Sequence, residues 1–499
     1  MKLPRSFYNY TSYLGTIISV IAWATLLFFV VLIYFFGIDN VYFDLYTFIV
    51  TPAFIVLGLI IIPFGMYRKN KKLKEGIQVS NEKLLILNLR DSKTRNALLI
   101  FSTISIFFII STIVGSYKAF HYTESVEFCG KLCHKVMTPE YVAYQNSPHA
   151  RVTCAECHVG EGADFYVKSK MSGMRQVYKY TMGTWPTPIE TPIQNLRPAR
   201  ETCEKCHWPQ KFYTNSLRSE KYFLADSANT EWDIVLNMRV GANHQALGLT
   251  GGIHWHINPD VQIDYKANTK RDTIYWVKIT NKKTGVETVY KDDELVAKPE
   301  LSAKMEARGM DCMDCHNRPS HEFRSPSKYV NELLAGQNKI AGIPWFKSAA
   351  MEALKLPYST TDSAKTEIKN KIVKFYQEKY PDLYKKSGKE ILLAINDVET
   401  EYLKNAFPEM KVTYSAYPRH IGHLETNGCF RCHNNKFKSP SGKVISKDCN
   451  LCHTIVAQGK SDSIKYIGIN GALGFIHPID IGDAWKETNC MECHNQLYQ

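Results

Sequence analysis

At 499 residues, with 22% charged and 45% hydrophobic side chains, the chain is too long for one core and fits two to four domains. Its formal charge of +13 is unevenly placed, because residues 67–96 hold nine Lys/Arg against Glu75, Glu82 and Asp91. A charge confined to one short stretch removes the usual basis for nucleic-acid binding.

The first 120 residues contain three uncharged apolar runs. Residues 11–37 include Leu14, Ile17, Ile18, Val20, Ile21, Trp23, Leu26, Leu27 and Phe28. That run exceeds the about 20 residues a bilayer span needs. A second run goes from about Leu45 to Met66, with Pro52 and Pro63 near its ends, and a third from about Ala97 to Phe120. The first is too long for a secretory core and lacks a small-residue cleavage site, so it is expected to be retained. The Lys/Arg excess of 67–96 predicts a cytoplasmic loop, and Lys2 and Arg5 put the N-terminus on the same side. The third span then leads outward, so everything after it is expected on the periplasmic side of a bacterial inner (cytoplasmic) membrane.

Seven short motifs follow. Six read Cys-x-x-Cys-His: Cys154/Cys157/His158, Cys203/Cys206/His207, Cys312/Cys315/His316, Cys429/Cys432/His433, Cys449/Cys452/His453 and Cys490/Cys493/His494. The first, Cys129/Cys133/His134, has one extra residue between its cysteines. Such a motif attaches a c-type haem: the thiols bond to the porphyrin and the adjacent imidazole reaches the iron. All 14 cysteines are used, two per motif. A disulfide framework gives no reason for a histidine after every second cysteine, and zinc sites add further ligands at short spacing. The expectation is seven covalently bound haem c groups.

From His121 to His321 the sequence resembles the NapC/NirT family of membrane-anchored quinol dehydrogenases. The matching residues are Cys129 to His134 followed by Met137, Tyr141 to Tyr144, Ser147-Pro148-His149 and Cys154 to His158. Met171 to Tyr178, Gly183-Thr184, Thr187-Pro188, Cys203 to His207, Cys312 to His316 and His321 continue it. The resemblance implies four haems behind one transmembrane helix, here the third, with the haem nearest the membrane taking electrons from menaquinol or ubiquinol. It also implies a methionine ligand at that haem. Both spacings of the first motif are one residue longer than the family's, so either His134 or Met137 is the proximal ligand there. The stretch after the second motif offers Asp164, Lys168 and Lys170, which the resemblance places beside the quinol; His121 is a further candidate base. With three spans and seven haems, the whole chain looks like larger inner-membrane relatives that send electrons toward extracellular acceptors.

Residues 208–310 are far longer than the family's link at that place. Thr273 to Thr280, Asn281 to Gly285 and Val286 to Tyr290 read as a β-hairpin. Before it stand His244, His254 and His256. Read as extended chain, His254 and His256 point to opposite faces, and His244 and His254 are taken as the distal ligands. Residues 322–418 lack cysteine and histidine and show helical periodicity, which predicts a redox-inert spacer. His420 is expected at the surface or beside a propionate, whereas His423 and His477 are expected as distal ligands.

The expected architecture is thus a membrane-anchored multihaem cytochrome c: three N-terminal transmembrane helices, then a mostly α-helical, irregular, haem-packed periplasmic part with a small β-rich insertion. Its divisions are a three-helix anchor (1–120), a four-haem module (121–321) with an insertion at about 208–310, a helical spacer (322–418) and a three-haem module (419–499). Outside the motifs nine histidines remain, and six bis-histidine haems need six of them; His149 and His321 join the four named above. The resulting function is oxidation of menaquinol beside the first haem and relay to periplasmic soluble cytochromes or a docked reductase. Haem propionates would make the part after residue 96 net negative, which favours a basic or neutral partner. A nitrite- or hydroxylamine-type terminal reductase, or a wire subunit of a larger respiratory complex, are the alternatives. A homo-oligomer is compatible with either role.

Overall fold

The computed structural model describes residues 6–36, 46–74, 92–160, 163–192, 198–212, 214–241 and 251–495. It divides into one unit of Met1–Met137 with Thr153–Ala155, and another of Thr138–Val152 with Glu156–Gln499.

In the first unit, α1 (Tyr10–Phe36) and α2 (Thr51–Lys74) pack side by side. Two stretches in them, Tyr10–Val31 and Thr51–Lys71, are long and apolar enough to cross a membrane. Their packing is inverted relative to a soluble core. Small residues face each other: Ser12 Oγ donates to the Ile62 carbonyl at 3.0 Å, and Ser19 Oγ faces the Ile55 carbonyl at 3.4 Å. Leu14, Ile17, Val20, Ile21, Phe54, Ile60 and Phe64 point outward and are exposed. Helices associate this way in lipid, where apolar burial gives no drive and close backbone approach does the work. A Cβ on Gly58 would lie 2.6 Å from the Gly15 carbonyl and 2.9 Å from Ser19 N, both backbone atoms. Gly58→Leu is therefore expected to force the two helices apart, at a cost of about 1–3 kcal/mol, read as easier proteolysis or detergent unfolding of the anchor. A third helix, α3 (Ser92–Thr123), covers 32 residues. The short helix Val126–Lys131 and α4 (His134–Gln145) then carry the first motif.

The second unit begins within α4 and includes α5 (Ala163–Met182). Two antiparallel sheets follow, built from β1 (Ser216–Phe223), β2 (Glu231–Met238), β3 (Val261–Ala267), β4 (Ile274–Asn281), β5 (Glu287–Asp292) and β6 (Glu306–Gly309), with later strands added. The β4–β5 hairpin forms where alternation predicts it. Asn281 Oδ1 accepts from Lys283 N and Thr284 N, and Gly285 takes φ +70° to close the turn. In β3, Val261, Ile263, Tyr265 and Ala267 are buried while the residues between them are only partly covered.

Between the sheets and the C-terminus, α6 (Pro326–Gly336), α7 (Phe346–Leu354), α8 (Thr361–Lys379) and α9 (Pro381–Asn405) make the largest apolar core. Ala364, Ile368, Ile372 and Tyr376, four residues apart along α8, are fully buried against Ile391, Ile395 and Val398 of α9. The chain then returns to both sheets. β7 (Phe437–Lys438) pairs with β5, β8 (His453–Lys460) pairs with β2, and β9 (Lys465–Tyr466) closes one edge. Strands from 208–310 and strands from the last eighty residues thus share sheets and fold together.

Candidate metal centres

Six pairs of imidazole rings stand out in the second unit. The ring centres lie 6.0 Å apart for His149–His207, 6.2 Å for His158–His321 and 6.3 Å for His254–His316. They lie 5.8 Å apart for His256–His433, 6.2 Å for His423–His453 and 6.1 Å for His477–His494. Two imidazoles bonded to one metal at about 2 Å each have nitrogens about 4 Å apart and ring centres about 6 Å apart. Each pair joins one histidine from a Cys-x-x-Cys-His motif to one from elsewhere in the chain. Two ring nitrogens fall short of the four ligands zinc takes and suit the axial positions of a haem iron.

Backbone carbonyls aim many of these rings. Nδ1 lies 3.1 Å from the Pro319 carbonyl in His149, 3.0 Å from Val240 in His254 and 2.6 Å from Ile253 in His256. In His321, His433 and His477 the corresponding carbonyls are Glu140, Ser446 and Ile479, at 3.1, 2.9 and 2.7 Å. A carbonyl can only accept, so it puts the proton on Nδ1 and leaves the Nε2 lone pair free for a metal. Burial pushes His254, His256, His433 and His453 below the usual imidazole range and His423 to about 4, which favours the neutral, ligating form.

The His254/His256 segment differs from its sequence reading. Ile253–Ile257 is a 3₁₀ turn, entered through Gly252 at φ +76°. A Cβ at Gly252 would lie 2.5 Å from the Arg239 carbonyl, so glycine is required there. The turn is anchored as Ile253 N donates to that carbonyl, while Arg239 N donates to the Cys452 carbonyl of the sixth motif. Both histidines are used, each toward a different motif: His254 faces His316 and His256 faces His433. His244 lies outside the described residues. Sequence reasoning favours His244 over His256 because opposite-facing rings cannot serve one iron; facing different ways is what two irons need. A His-x-His pair between successive motifs is the signal that could have found it.

All fourteen cysteines are free thiols, which removes the disulfide framework. Eleven are half-buried, but Cys206, Cys449 and Cys493 are exposed, whereas a haem-packed interior predicts that the attachment thiols are enclosed. The cause is local. Cys206 lies in the turn after the short helix Ala199–Cys203, where Ala199 supplies the buried residue. Cys493 lies in the single helical turn Cys490–His494, and Cys449 opens a 3₁₀ turn; neither turn has a buried residue. Attachment needs a thiol that the porphyrin edge can reach, not a buried one, so the third, sixth and seventh motifs sit with one thiol each at the protein surface.

Thiols of successive motifs also lie close together. In the first unit Cys129 hydrogen-bonds Cys154 and holds it down to about 7. In the second, Cys157 is near Cys203, Cys203 hydrogen-bonds Cys312, and Cys315 is within electrostatic range of Cys429 and Cys432. Cys429 is likewise near Cys452, and Cys449 near Cys490. Neighbours in sequence are neighbours in space.

Between the fourth and fifth motifs sits a buried polar cluster. Asp314 pairs with Arg271 at 3.1 Å and Arg308 at 3.4 Å and accepts from the Tyr265 hydroxyl. Arg431 donates to the carbonyls of Gly428 and Asp314 and to His420 Nδ1 at 3.2 Å. His420 is therefore buried under Arg431, not at the surface.

The candidates for the quinol side divide between the units. His134 and Met137 sit one turn apart on α4, with Met137 half-buried. His121 ends α3, its ring 4.3 Å from Tyr117. Asp164, Lys168 and Lys170 lie on α5, where Lys168 Nζ sits over Phe165 and Lys170 Nζ 4.9 Å over Tyr166. The same helix exposes Val167, Met171, Met174, Tyr178 and Met182, a single apolar stripe at helical spacing.

Paired imidazoles beside paired thiols, behind apolar helices, define a membrane-anchored multihaem c-type cytochrome. Residues 91–192 match the NapC/NirT cytochrome c family, N-terminal region. The chain is 40% identical over 493 residues to the cytochrome c-type protein ImcH of Geobacter sulfurreducens, covering 99% of this chain and 96% of that one. It is 28% identical over 102 residues to the cytochrome c nitrite reductase subunit NrfH of Nitratidesulfovibrio vulgaris, covering 20% of this chain and 63% of that one. No solved structure matches it. The chain belongs to the NapC/NirT family of cytochromes c, in its ImcH-like branch.

Proposed function

We propose that this cytochrome is a menaquinol dehydrogenase that passes electrons through seven haem c groups to periplasmic cytochromes or a docked reductase. The six imidazole pairs, each tied to one motif, carry the reading. Bound haems supply one-electron redox chemistry, and with both axial positions filled they offer no open iron for substrate. The chain's part is to hold and aim them. The motif cysteines anchor each haem; His158 with His321, His207 with His149 and His316 with His254 take the second to fourth irons. His433 with His256, His453 with His423 and His494 with His477 take the fifth to seventh.

The first motif is the quinol end. His134 or Met137 serves as its iron ligand, and a methionine would raise the potential toward that of a quinol acceptor. Quinol oxidation releases two protons, and Asp164, Lys168, Lys170 and His121 are the groups proposed to bind the head group and receive them. The exposed apolar stripe of α5 suits a membrane-edge site. The proposed topology has three spans, a cytoplasmic basic loop and the haem part on the periplasmic side.

The test is direct. The purified full chain, mixed with a reduced menaquinone analogue and no partner protein, is expected to show haem reduction by its visible spectrum. No reduction without a partner would instead make it a wire subunit. Catalytic turnover of nitrite or hydroxylamine by the chain alone would favour the reductase reading.

A further inference from the structure

One of the six pairs has a different second partner. His321 Nδ1 lies 3.1 Å from the Glu140 carbonyl and also 3.2 Å from Glu140 Oε2. Among the described residues this is the one paired imidazole with a carboxylate in reach; where the others have an Nδ1 partner, it is a backbone carbonyl. Glu140 is not placed there by chance of rotamer. The Arg318 guanidinium reaches both carboxylate oxygens at 3.3 Å, while its Nε donates to the His321 carbonyl at 2.7 Å. Arg318 is itself wedged against Tyr417 at 4.3 Å and Phe323 at 5.2 Å, and the Tyr417 hydroxyl donates to the Ile189 carbonyl. The side chains of Glu140 and Arg318 are 13% and 9% exposed, so little water screens the contact.

We propose that Glu140 is a positioning residue that lowers the reduction potential of the iron held between His158 and His321, a role resting on the ligand pairing proposed above. A carboxylate draws the Nδ1 proton more strongly than a carbonyl does, because a hydrogen bond to an ionised acceptor is stronger. The imidazole then pushes more electron density through Nε2, and the oxidised iron is stabilised over the reduced one. Arg318 balances the net charge, so the effect reaches the iron through the N–H···O⁻ bond and not through an unpaired charge. The second haem becomes a low-potential step directly after the quinol end, where electrons do not accumulate but pass on or return.

Glu140→Gln keeps the shape and weakens the pull on Nδ1. In a redox titration of the full chain followed by visible and EPR spectra, one low-spin haem is expected to rise in midpoint. The expected rise is about a tenfold change in its oxidised-to-reduced ratio, or about 59 mV for one electron. The remaining midpoints should not move. Glu140→Asp, which keeps the charge but shortens its reach, should shift the same haem in the same direction and serves if the Gln variant loses haem. Unchanged midpoints in the variant that retains its haems overturn the proposal. His321→Ala separates this from the ligand reading: loss of one low-spin haem there keeps the pairing even if Glu140 proves silent, and no spectral change removes both.

Discussion

His256→Ala is expected to convert one of six low-spin haems to a high-spin or weakly ligated state, while His244→Ala leaves all six low-spin. The ring of His256 faces His433 at 5.8 Å, and its Nδ1 is tied to the Ile253 carbonyl, so no other imidazole is placed to substitute among the described residues. With the fifth iron deprived of one axial ligand, its potential and reorganisation change together. Disturbing even an outer partner of a metal ligand typically costs about 10–100-fold in activity. Losing the ligand itself should slow delivery to the sixth and seventh haems by about 100-fold or more. Stopped-flow reduction by a quinol analogue, read at haem wavelengths, measures that rate, and EPR counts the low-spin centres. If His244→Ala removes the low-spin signal and His256→Ala does not, the pairing is wrong.

The anchor and the haem motifs are legible in sequence because both are local signals. An uncharged run the length of a bilayer and a cysteine pair followed by histidine need no knowledge of what lies elsewhere in the chain. The β4–β5 hairpin is legible for the same reason, since Asn281 to Gly285 carry the turn chemistry between two alternating runs. Histidine supply is legible as a number, but the choice among them depends on backbone shape. Whether residues 253–257 are extended or a 3₁₀ turn decides where His254 and His256 aim, and that turn depends on Gly252 meeting the Arg239 carbonyl. Thiol exposure is hidden in the same way: Cys206 and Cys203 belong to one motif, yet only the first of them stands open to solvent.

What stays hidden in the sequence is non-local. β8 pairs with β2 across more than two hundred residues, with Met238 opposite His453 and Trp232 opposite Lys460. Nothing in the pattern around the sixth motif announces a strand partner so far upstream. Glu140 is equally silent: it sits 181 residues from His321, and in sequence it is one more acid on a helix. Loop-closing contacts of this kind are specified by the whole fold, so only coordinates reveal that a carboxylate stands behind an imidazole.

The largest functional effect is expected at the first motif. The six ring pairs take up the histidines of the other six motifs, and His134 is followed on the same helix by Met137, one turn on. Histidine–methionine ligation raises a haem potential relative to two histidines, and a quinol acceptor has to sit high enough to draw the first electron. One of Met137→Leu and His134→Ala should therefore perturb a single haem and abolish quinol-dependent reduction. The other six haems should still be reduced by dithionite with wild-type spectra, because their ring pairs lie wholly within the second unit. The two substitutions also discriminate between ligands: the true one removes or shifts a haem band even before quinol is added, whereas the other leaves the band in place. If both variants keep quinol-dependent reduction at the wild-type rate, electrons enter elsewhere, and the extra residue between Cys129 and Cys133 is a tolerated insertion with no bearing on ligation.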